Sequence, residues 1–258
     1  MIVLFFVLGL VIGSFLNVII IRLKKEESWL KRRSYCPWCK KGLSWYELIP
    51  LVSFFIQKGK CRGCKKKISW QYPLVEFFTG VVFVLIGLYF FEFSVLGFIN
   101  ALFLFIISSL LIVIFVYDLK HYIVPDQIIY PAIVFVFLYK ITFLFLINNL
   151  LFILYYFLAA VVGGAFFLAI VLISRGKWMG WGDVKIGFLM GLLLGFSGLI
   201  VALFLSFLSG ALISVILLSL KKKGLRSEIP LAPFLVFSAL AVLFWESLLI
   251  RWYTNLFI

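Results

Sequence analysis

The stretch "GKWMGWGDVKIGFLMG", from Gly176 to Gly191, places a carboxylate at the start of an apolar helix. Asp183 follows Gly182 and precedes a long run of apolar residues that reaches residue 220. A charged side chain beside hydrocarbon is energetically unfavourable, so acidic residues in such positions usually serve a function. The stretch therefore indicates a membrane protein with a functional acid at the membrane boundary.

The composition of the whole chain also indicates a membrane protein. Of its 258 residues, 65% are hydrophobic, and the mean hydropathy is +1.21. Apolar runs of about 18 residues or more recur along the chain, and each can cross a hydrocarbon core of about 30 Å. The first run lacks a basic start and a cleavage site of small residues, so we interpret it as a helix and not as a signal peptide. Because a backbone in lipid must satisfy its own hydrogen bonds, we predict an all-α polytopic membrane protein.

Charge distribution decides the number of spans. The run 186–220 is long for one span and short for two, but Gly195 and Gly198 indicate a turn within it. With two spans there, the basic segment 22–72 and the later loop lysines and arginines fall on one side. Cytoplasmic loops collect such residues, so we predict that the basic side is cytoplasmic and the N-terminus outside. The eight predicted spans are approximately 1–21, 73–91, 97–117, 127–147, 150–173, 185–200, 201–220 and 231–250.

The basic segment 22–72 also contains all four cysteines. It holds 14 of the 24 Lys and Arg residues, and its motifs "CPWC" and "CRGC" are separated by 21 residues. Two such turns can present four thiolates in tetrahedral geometry, which suits a structural Zn²⁺ with no open coordination position. Two disulfides are the alternative, but a reducing cytoplasm disfavours them. We predict a small cytoplasmic zinc domain over 22–72, with these ligands: Cys36, Cys39, Cys61 and Cys64.

Three of the ten acidic residues lie at predicted membrane boundaries. Asp118 ends the third span, Asp126 starts the fourth, and Asp183 starts the sixth. The position of Asp126 favours a helix N-cap over a direct catalytic role. On the eight-span topology all three face the cytoplasm. Two carboxylates that converge from separate helices can share a proton and activate a water molecule, as in an aspartic protease.

The sequence resembles one family over nearly its whole length. "GWGD" at 180–183 matches the G-x-G-D signature of intramembrane-type aspartyl proteases, in which Gly180 and Gly182 leave room for a substrate backbone. Four further stretches resemble motifs of the bacterial type IV prepilin peptidases in the same order. They are "GSFLNVIIIRL" (13–23), the two-cysteine-pair segment (36–64), "ISWQYPLVEFFTG" (68–80) and "YDLKHYIVPD" (117–126).

The resemblance implies a function and a site. Asp118 and Asp183 would be the catalytic pair of an aspartic endopeptidase, supported by Asp126, Gly180 and Gly182. The enzyme would cleave the leader of prepilin- or pseudopilin-like proteins, as in type IV pilus and type II secretion systems, at the cytoplasmic face of the bacterial inner membrane. It would also methylate the new N-terminus with S-adenosylmethionine, because relatives without the cysteine domain lack that activity. The residues that would bind this cofactor are not identified by the sequence.

These interpretations divide the chain into three parts. Residues 1–21 form the first transmembrane helix, 22–72 the zinc domain, and 73–258 the transmembrane aspartyl protease core. The expected partners are prepilin-like substrates and the lipid bilayer. Nucleic acid is not expected, because membrane topology already explains the basic segment. The oligomeric state is not predicted.

Two other classes of protein are possible. A proton-coupled transporter would also need membrane carboxylates, but its sites usually lie near the midplane, often between inverted repeats. Here the acids lie at one edge, and the sequence contains no evident repeat. A noncatalytic zinc-domain scaffold would leave the boundary acids without a role. Peptidase activity is therefore the favoured hypothesis.

Overall fold

The computed structural model describes residues 1–25, 34–147, 150–220 and 229–255. Part of the predicted zinc domain (26–33), the loop 148–149 and the triplet Lys221–Lys223 therefore lie outside the described residues. By packing, the chain divides into two compact units, 1–113 and 114–258. The predicted three-part division, with boundaries after residues 21 and 72, stays a prediction.

Helices make up the described secondary structure, apart from two isolated β-bridges in the cysteine segment. This confirms the predicted all-α fold class. The elements are α1 (Ile2–Lys25), a 3-10 helix (Trp45–Leu48), α2 (Val52–Ile56), α3 (Gln71–Tyr89), α4 (Val95–His121), α5 (Asp126–Ile147), α6 (Leu150–Ser174), α7 (Trp181–Ser219) and α8 (Ala232–Asn255).

In the first unit, α1 and α3 pack closely through small residues. A methyl group added to Gly9 would lie 2.7 Å from the Gly80 Cα, so the two backbones nearly touch. Small residues allow this approach in membranes, where packing and polar contacts hold helices together. Asn17 adds a polar contact, because its Nδ2 donates to the Tyr72 carbonyl at 3.2 Å. The start of α3 is thereby held against α1, at the point where the cysteine segment joins it.

In the second unit, the chain reverses direction inside α7. Gly195 has φ 73° and ψ −173°, which is not helical. Gly163 of α6 packs against Gly187, which precedes Gly195 in the chain, and also against Leu199, which follows Gly195. In a straight helix those two residues would be about 18 Å apart, so they could not both contact one glycine. The arms 181–194 and 196–219 therefore run antiparallel beside α6.

Contacts of the second arm agree with this reversal. Phe207 lies against Phe167 of α6, with ring centroids 6.4 Å apart, although Phe167 also packs on Gly187 of the first arm. On its other side the second arm contacts α8, where the hydroxyls of Ser206 and Ser238 are 2.8 Å apart. The second arm thus lies between α6 and α8.

The reversal brings the number of apolar segments to eight. Six described helices, α1 and α3 to α7, are long and apolar enough to span a membrane, and α8 adds a shorter apolar stretch, Ala232–Trp245. With α7 counted as two antiparallel arms, the described helices give eight apolar segments, and the crossing of the membrane by all eight stays a prediction. The predicted break between 200 and 201 is wrong, since the turn lies at Gly195. The first arm is only about 21 Å long, shorter than a hydrocarbon core of about 30 Å.

We expect that Gly195→Ala destabilises the protein. Its positive φ disfavours any L side chain by about 1–2 kcal/mol, and the methyl group would lie 2.5 Å from the Tyr155 ring. That ring cannot move freely, because the Tyr155 hydroxyl accepts the N–H groups of Phe196 and Ser197. The thermal unfolding midpoint in detergent should therefore fall by several degrees.

The control is Gly210→Ala in the second arm of α7. A methyl group there would meet only the Phe234 ring, at 3.5 Å, in a helical backbone. It should leave the midpoint unchanged or raise it slightly. Equal stability of both variants would contradict the assignment of the turn to Gly195.

Candidate functional site

The two aspartate motifs meet where the start of α7 packs against the short connection between α4 and α5. Gly182 lies on Val124, and a methyl group added to Gly182 would be 2.8 Å from the Val124 Cβ. Gly180 is different, because a methyl group added there would have only the Gly182 backbone nitrogen within 4 Å, at 3.9 Å. The second glycine of the motif is therefore needed for helix packing, whereas the first faces open space.

This contact brings Asp118 and Asp183 together. Asp118 lies one turn before the end of α4, and its side chain is 5% exposed. Asp183 is the third residue of α7, and its Oδ2 accepts the Gly180 N–H at 3.3 Å. The two carboxyl groups are close enough for a repulsive electrostatic interaction. Two carboxyl groups that repel each other are easier to hold when one of them is protonated.

Asp126 does not have the predicted N-cap contact. It is the first residue of α5, and its Oδ1 instead accepts from Lys185 Nζ at 2.5 Å. The same ammonium lies 4.8 Å from the centre of the Tyr130 ring. An ion pair replaces the cap because α7 brings a cation to the start of α5. Sequence reasoning missed the pairing of Lys185 with Asp126, although a lone lysine at the start of an apolar helix was a sign that it needs a partner.

We predict that Gly182→Ala destabilises this junction by about 1–3 kcal/mol, the usual effect of overpacking. Gly180→Ala should be tolerated, since Gly180 has φ −89° and an open surrounding. Thermal unfolding in detergent measures both. Combining Gly182→Ala with Val124→Ala should recover only part of the lost stability, because the second change removes Val124 Cγ2 at 2.5 Å but keeps Cβ at 2.8 Å. A Gly182→Ala variant as stable as Gly180→Ala would disprove the contact.

A second candidate site lies in the first unit, where the four cysteines converge. Their sulfur atoms all lie within 4.8 Å of one another, and the thiols are free. The Sγ atoms of Cys36 and Cys64 are 3.9 Å apart. Tetrahedral ligation with a Zn–S distance of about 2.3 Å requires sulfurs about 3.8 Å apart, so the donor set fits this geometry. The cluster can hold a metal ion.

The two cysteine turns share one backbone conformation. The Cys36 N–H donates to the Lys41 carbonyl at 2.9 Å, and the Lys40 N–H donates back to the Cys36 carbonyl at 2.9 Å. The second turn repeats both bonds at Cys61, at the same distances. In each turn the residue after the second cysteine has positive φ, 60° at Lys40 and 59° at Lys65. This repetition aims two pairs of sulfurs at one point.

The electrostatics of the Cys61 and Cys64 thiols fit a cluster that binds a cation. The backbone N–H groups of Cys64 and Gly63 lower the pKa of the Cys61 thiol to about 7. The Lys66 N–H lowers the pKa of the Cys64 thiol. Desolvation and the neighbouring thiols have a larger opposite effect, so the pKa of Cys64 is raised to about 11. One thiolate therefore forms at the expense of the next. A bound divalent metal removes this conflict, because it stabilises several thiolates at once.

A cavity of about 200 Å³ adjoins the cysteine cluster. The ends of α1 and α3 form one wall, and the cysteine turns with α2 form the other. Cys36 and Cys61 line it, as do two buried carboxylates, Glu47 and Glu76. The motif analysis did not identify this cavity, because its walls come from segments up to 62 residues apart, between Ser14 and Glu76.

Two family models match the chain. Residues 7–90 match the bacterial peptidase A24 N-terminal domain, and residues 105–215 match the type IV leader peptidase family. No solved structure matches the chain.

Curated relatives carry the name prepilin leader peptidase/N-methyltransferase. The Bacillus subtilis protein is 33% identical over 245 residues, which cover 95% of this chain and 94% of that relative. The Xanthomonas campestris protein is 31% identical over 95% of this chain and 92% of that relative. The Aeromonas hydrophila protein is 29% identical over 98% of this chain and 93% of that relative. These similarities over nearly the full length confirm the resemblance seen in the motifs, and the chain belongs to the type IV leader peptidase family.

Proposed function

We propose that this chain is a membrane aspartic endopeptidase that removes the leader of prepilin-like proteins and N-methylates the new N-terminus. The observation on which the peptidase proposal depends is the packing of Gly182 on Val124, which places the two aspartate motifs side by side. Family membership supports it, and the names of the relatives specify the substrate class. The transporter alternative has no comparable support.

Hydrolysis by such a pair requires one shared proton. The ionised carboxyl group takes a proton from a water molecule, whose oxygen attacks the scissile carbonyl carbon. The protonated carboxyl group donates to the carbonyl oxygen, which stabilises the tetrahedral intermediate. When the C–N bond breaks, the leaving nitrogen takes the proton of the protonated carboxyl group, and a hydroxyl group of the intermediate gives its proton to the ionised one. The two carboxyl groups then return to their starting state.

Asp126 and Lys185 would act as positioning residues. Their ion pair joins the starts of α5 and α7, two residues beyond Asp183. The Lys185 side chain is 23% exposed and that of Asp126 is 60% exposed, so solvent screens the pair in part and its contribution to stability is modest. Loss of the pair would let α7 shift relative to α5, and small displacements of a catalytic group reduce rates strongly.

The active site would face the cytoplasm. Asp118 and Asp183 lie at the end of the second unit that also contains Lys120 and Arg175 near helix ends. Short basic loops favour the cytoplasmic side. We therefore place the leader peptide there, with the N-terminus of the chain outside the bacterial inner membrane. Prepilins and pseudopilins would approach by inserting their apolar helix beside the carboxylate pair.

Methyl transfer requires a donor. When bound, S-adenosylmethionine supplies a methyl carbon that an uncharged amine attacks, while the C–S bond breaks towards sulfur and the nitrogen loses one proton to solvent. This chain's residues would need to bind the donor's charged and aromatic parts. The cavity beside the cysteines offers carboxylates, cations and aromatic rings together.

Structural zinc would hold the cysteine segment together. The four sulfurs suit a closed tetrahedral site, so the metal would have no part in hydrolysis. Its removal would release the two cysteine turns and open the adjoining cavity.

We expect Asp118→Asn and Asp183→Asn each to slow leader cleavage by at least about 10³-fold, because each removes one member of the proton-sharing pair. Asp126→Asn should cause a smaller loss. A tagged prepilin and purified enzyme in nanodiscs, followed by gel shift and mass spectrometry, would measure these rates.

The control for these changes is Glu92→Gln, which alters a carboxylate in the loop between α3 and α4. It should cleave at the wild-type rate. Near-wild-type cleavage by either of the first two variants would rule out the aspartic mechanism.

We predict that the purified protein contains one Zn²⁺ per chain. The Cys36→Ser variant should lose this metal ion. Because small metal sites fold with their metal, the variant should become protease-sensitive within 34–70 while its far-ultraviolet helical signal persists. Elemental analysis and limited proteolysis provide the two measurements. Ser34→Ala, two residues away, should retain the metal. Purified wild-type protein without zinc, or with a disulfide between cysteines, would contradict the assignment.

A further inference from the structure

The short helices of the cysteine segment carry exposed apolar side chains. In α2, Phe55 and Ile56 are 63% and 66% exposed, whereas Phe54 is buried. The 3-10 helix lies against α2 and exposes Trp45. We call these exposed side chains the α2 face, and its members are Trp45, Leu48, Val52, Phe55 and Ile56. Large apolar side chains exposed together on a polar segment mark an interaction surface.

One hydrogen bond sets the level of the α2 face along the membrane helix α3. The Leu51 N–H, directly before α2, donates to Glu76 Oε2 at 2.8 Å. Glu76 is the sixth residue of α3, about 7.5 Å along the helix axis from its start. The 19 residues of α3 are about 28 Å long, so nearly the whole helix is needed to cross a hydrocarbon core of about 30 Å. Leu51 therefore lies at the level of the membrane boundary.

A ring contact holds the middle of α2 at the same level. The Phe54 ring centre is 5.1 Å from that of Trp70, the residue directly before α3. The helix α2 thus lies beside the first turns of α3 and does not project far beyond them. Trp70, Leu74 and Phe77 are exposed at helical spacing, and Trp is typical of the membrane–water interface. The α2 face is therefore continuous with an apolar side of α3 that meets lipid.

Cationic side chains lie beside the α2 face. Residues 34–70 contain eight Lys and Arg side chains, all exposed, and one carboxylate, Glu47, which is buried. Lys58 follows α2 by two residues, and the Arg62 guanidinium lies 5.0 Å from the centre of the Tyr46 ring in the 3-10 helix. An apolar face with Lys and Arg next to it is typical of an element that lies in the plane of a membrane interface.

Charge and position together favour a bilayer as the occupant of this face. Anionic phospholipids attract Lys and Arg close to the membrane surface, and the bilayer already lies at this level. A second copy of this chain would bring the same cations to the contact, and like charges oppose such an association.

We propose that the α2 face is an interfacial membrane anchor of the cysteine segment. Trp45, Phe55 and Ile56 enter the boundary between headgroups and acyl chains, in the leaflet where α3 begins. Lys58 and Arg62 bind the headgroups of anionic phospholipids. The anchor holds the cysteine segment on the bilayer at a third point, in addition to its connections to α1 and α3. This inference is independent of both proposed activities, because it uses only the packing of the first unit and the place of α3 in a membrane.

Photocrosslinking tests the contact directly. The zinc-loaded full chain, with benzoylphenylalanine in place of Phe55, would be irradiated in nanodiscs that contain phosphatidylglycerol, and adducts would be identified by mass spectrometry. The expected product is a lipid adduct. The control carries the same label in place of Trp38, an exposed ring on the first cysteine turn that Lys66 Nζ approaches to 4.2 Å. It should give at most about one third as much lipid adduct.

Three outcomes of this experiment would overturn the anchor. An adduct between two copies of the chain at position 55 would show that a protein covers the face. The absence of any adduct there would show a face open to water. Equal lipid adducts at positions 55 and 38 would show that lipid contact is not a property of the α2 face.

Amide hydrogen exchange in the same nanodiscs gives an independent test. The helix α2 has only five residues, and short helices are unstable without external contacts. The combined Phe55→Gln and Ile56→Gln variant should therefore exchange its amides in 52–58 at least about fivefold faster than the wild type. Phe93→Gln removes an equally apolar exposed ring from the loop between α3 and α4, and it should leave that rate unchanged.

The headgroup contacts have their own variant. Wild-type exchange in 52–58 should be slower with phosphatidylglycerol than with phosphatidylcholine alone, and the combined Lys58→Gln and Arg62→Gln variant should lose this difference. Zinc content measured on each sample shows that the cysteine segment is still folded. Wild-type exchange rates in the zinc-loaded Phe55→Gln and Ile56→Gln variant would contradict the anchor, and equal wild-type rates in the two lipids would contradict the headgroup contacts.

Discussion

The contact between Gly182 and Val124 is the constraint on which the rest of the candidate active site depends. It leaves no room for a side chain at Gly182, so the start of α7 lies directly against the connection between α4 and α5. Asp183 follows the glycine, and Asp118 lies six residues before the valine. Their proximity is therefore a consequence of backbone packing. The ion pair between Asp126 and Lys185 also joins the start of α5 to the start of α7.

This view changes the interpretation of the G-x-G-D motif. From the sequence, both glycines were expected to make room for a substrate. Only Gly180 faces open space, whereas Gly182 is occupied by a contact within the protein. Glycine thus has a different physical role at each of the two positions. One leaves access to the carboxylate, and the other lets two helices meet at a distance that positions it.

Much of the architecture could be predicted from the sequence because membrane segments obey simple rules of length and charge. The all-α class, the eight apolar segments and the cysteine cluster follow from apolar runs, loop charge and motif spacing. Gly195 and Gly198 indicated the turn in the sequence, but the predicted span boundary lay after residue 200, and only the φ of Gly195 shows which residue makes the turn. The pairing of Asp126 with Lys185 was missed, since it joins residues 59 positions apart on different helices. The cavity was missed for the same reason.

The first unit adds a second chemical environment to the chain. Its cysteine turns do not form an isolated appendage, because Leu51 is bonded to Glu76 inside α3 and Tyr72 is bonded to Asn17 of α1. A metal that orders those turns therefore also shapes the cavity next to the membrane helices. Hydrolysis would depend on a separate set of residues in the second unit.

The claim that Asp118 and Asp183 act as one pair is tested most directly by a double variant. Residual single-turnover cleavage of a prepilin would be compared among Asp118→Asn, Asp183→Asn and the combined variant, at high enzyme concentration. Groups that act as a unit are not additive, so the double variant should be no slower than the slower single variant, within about threefold. A double variant whose loss equals the product of the two single losses would show that the carboxylates act independently, which would contradict a shared-proton mechanism.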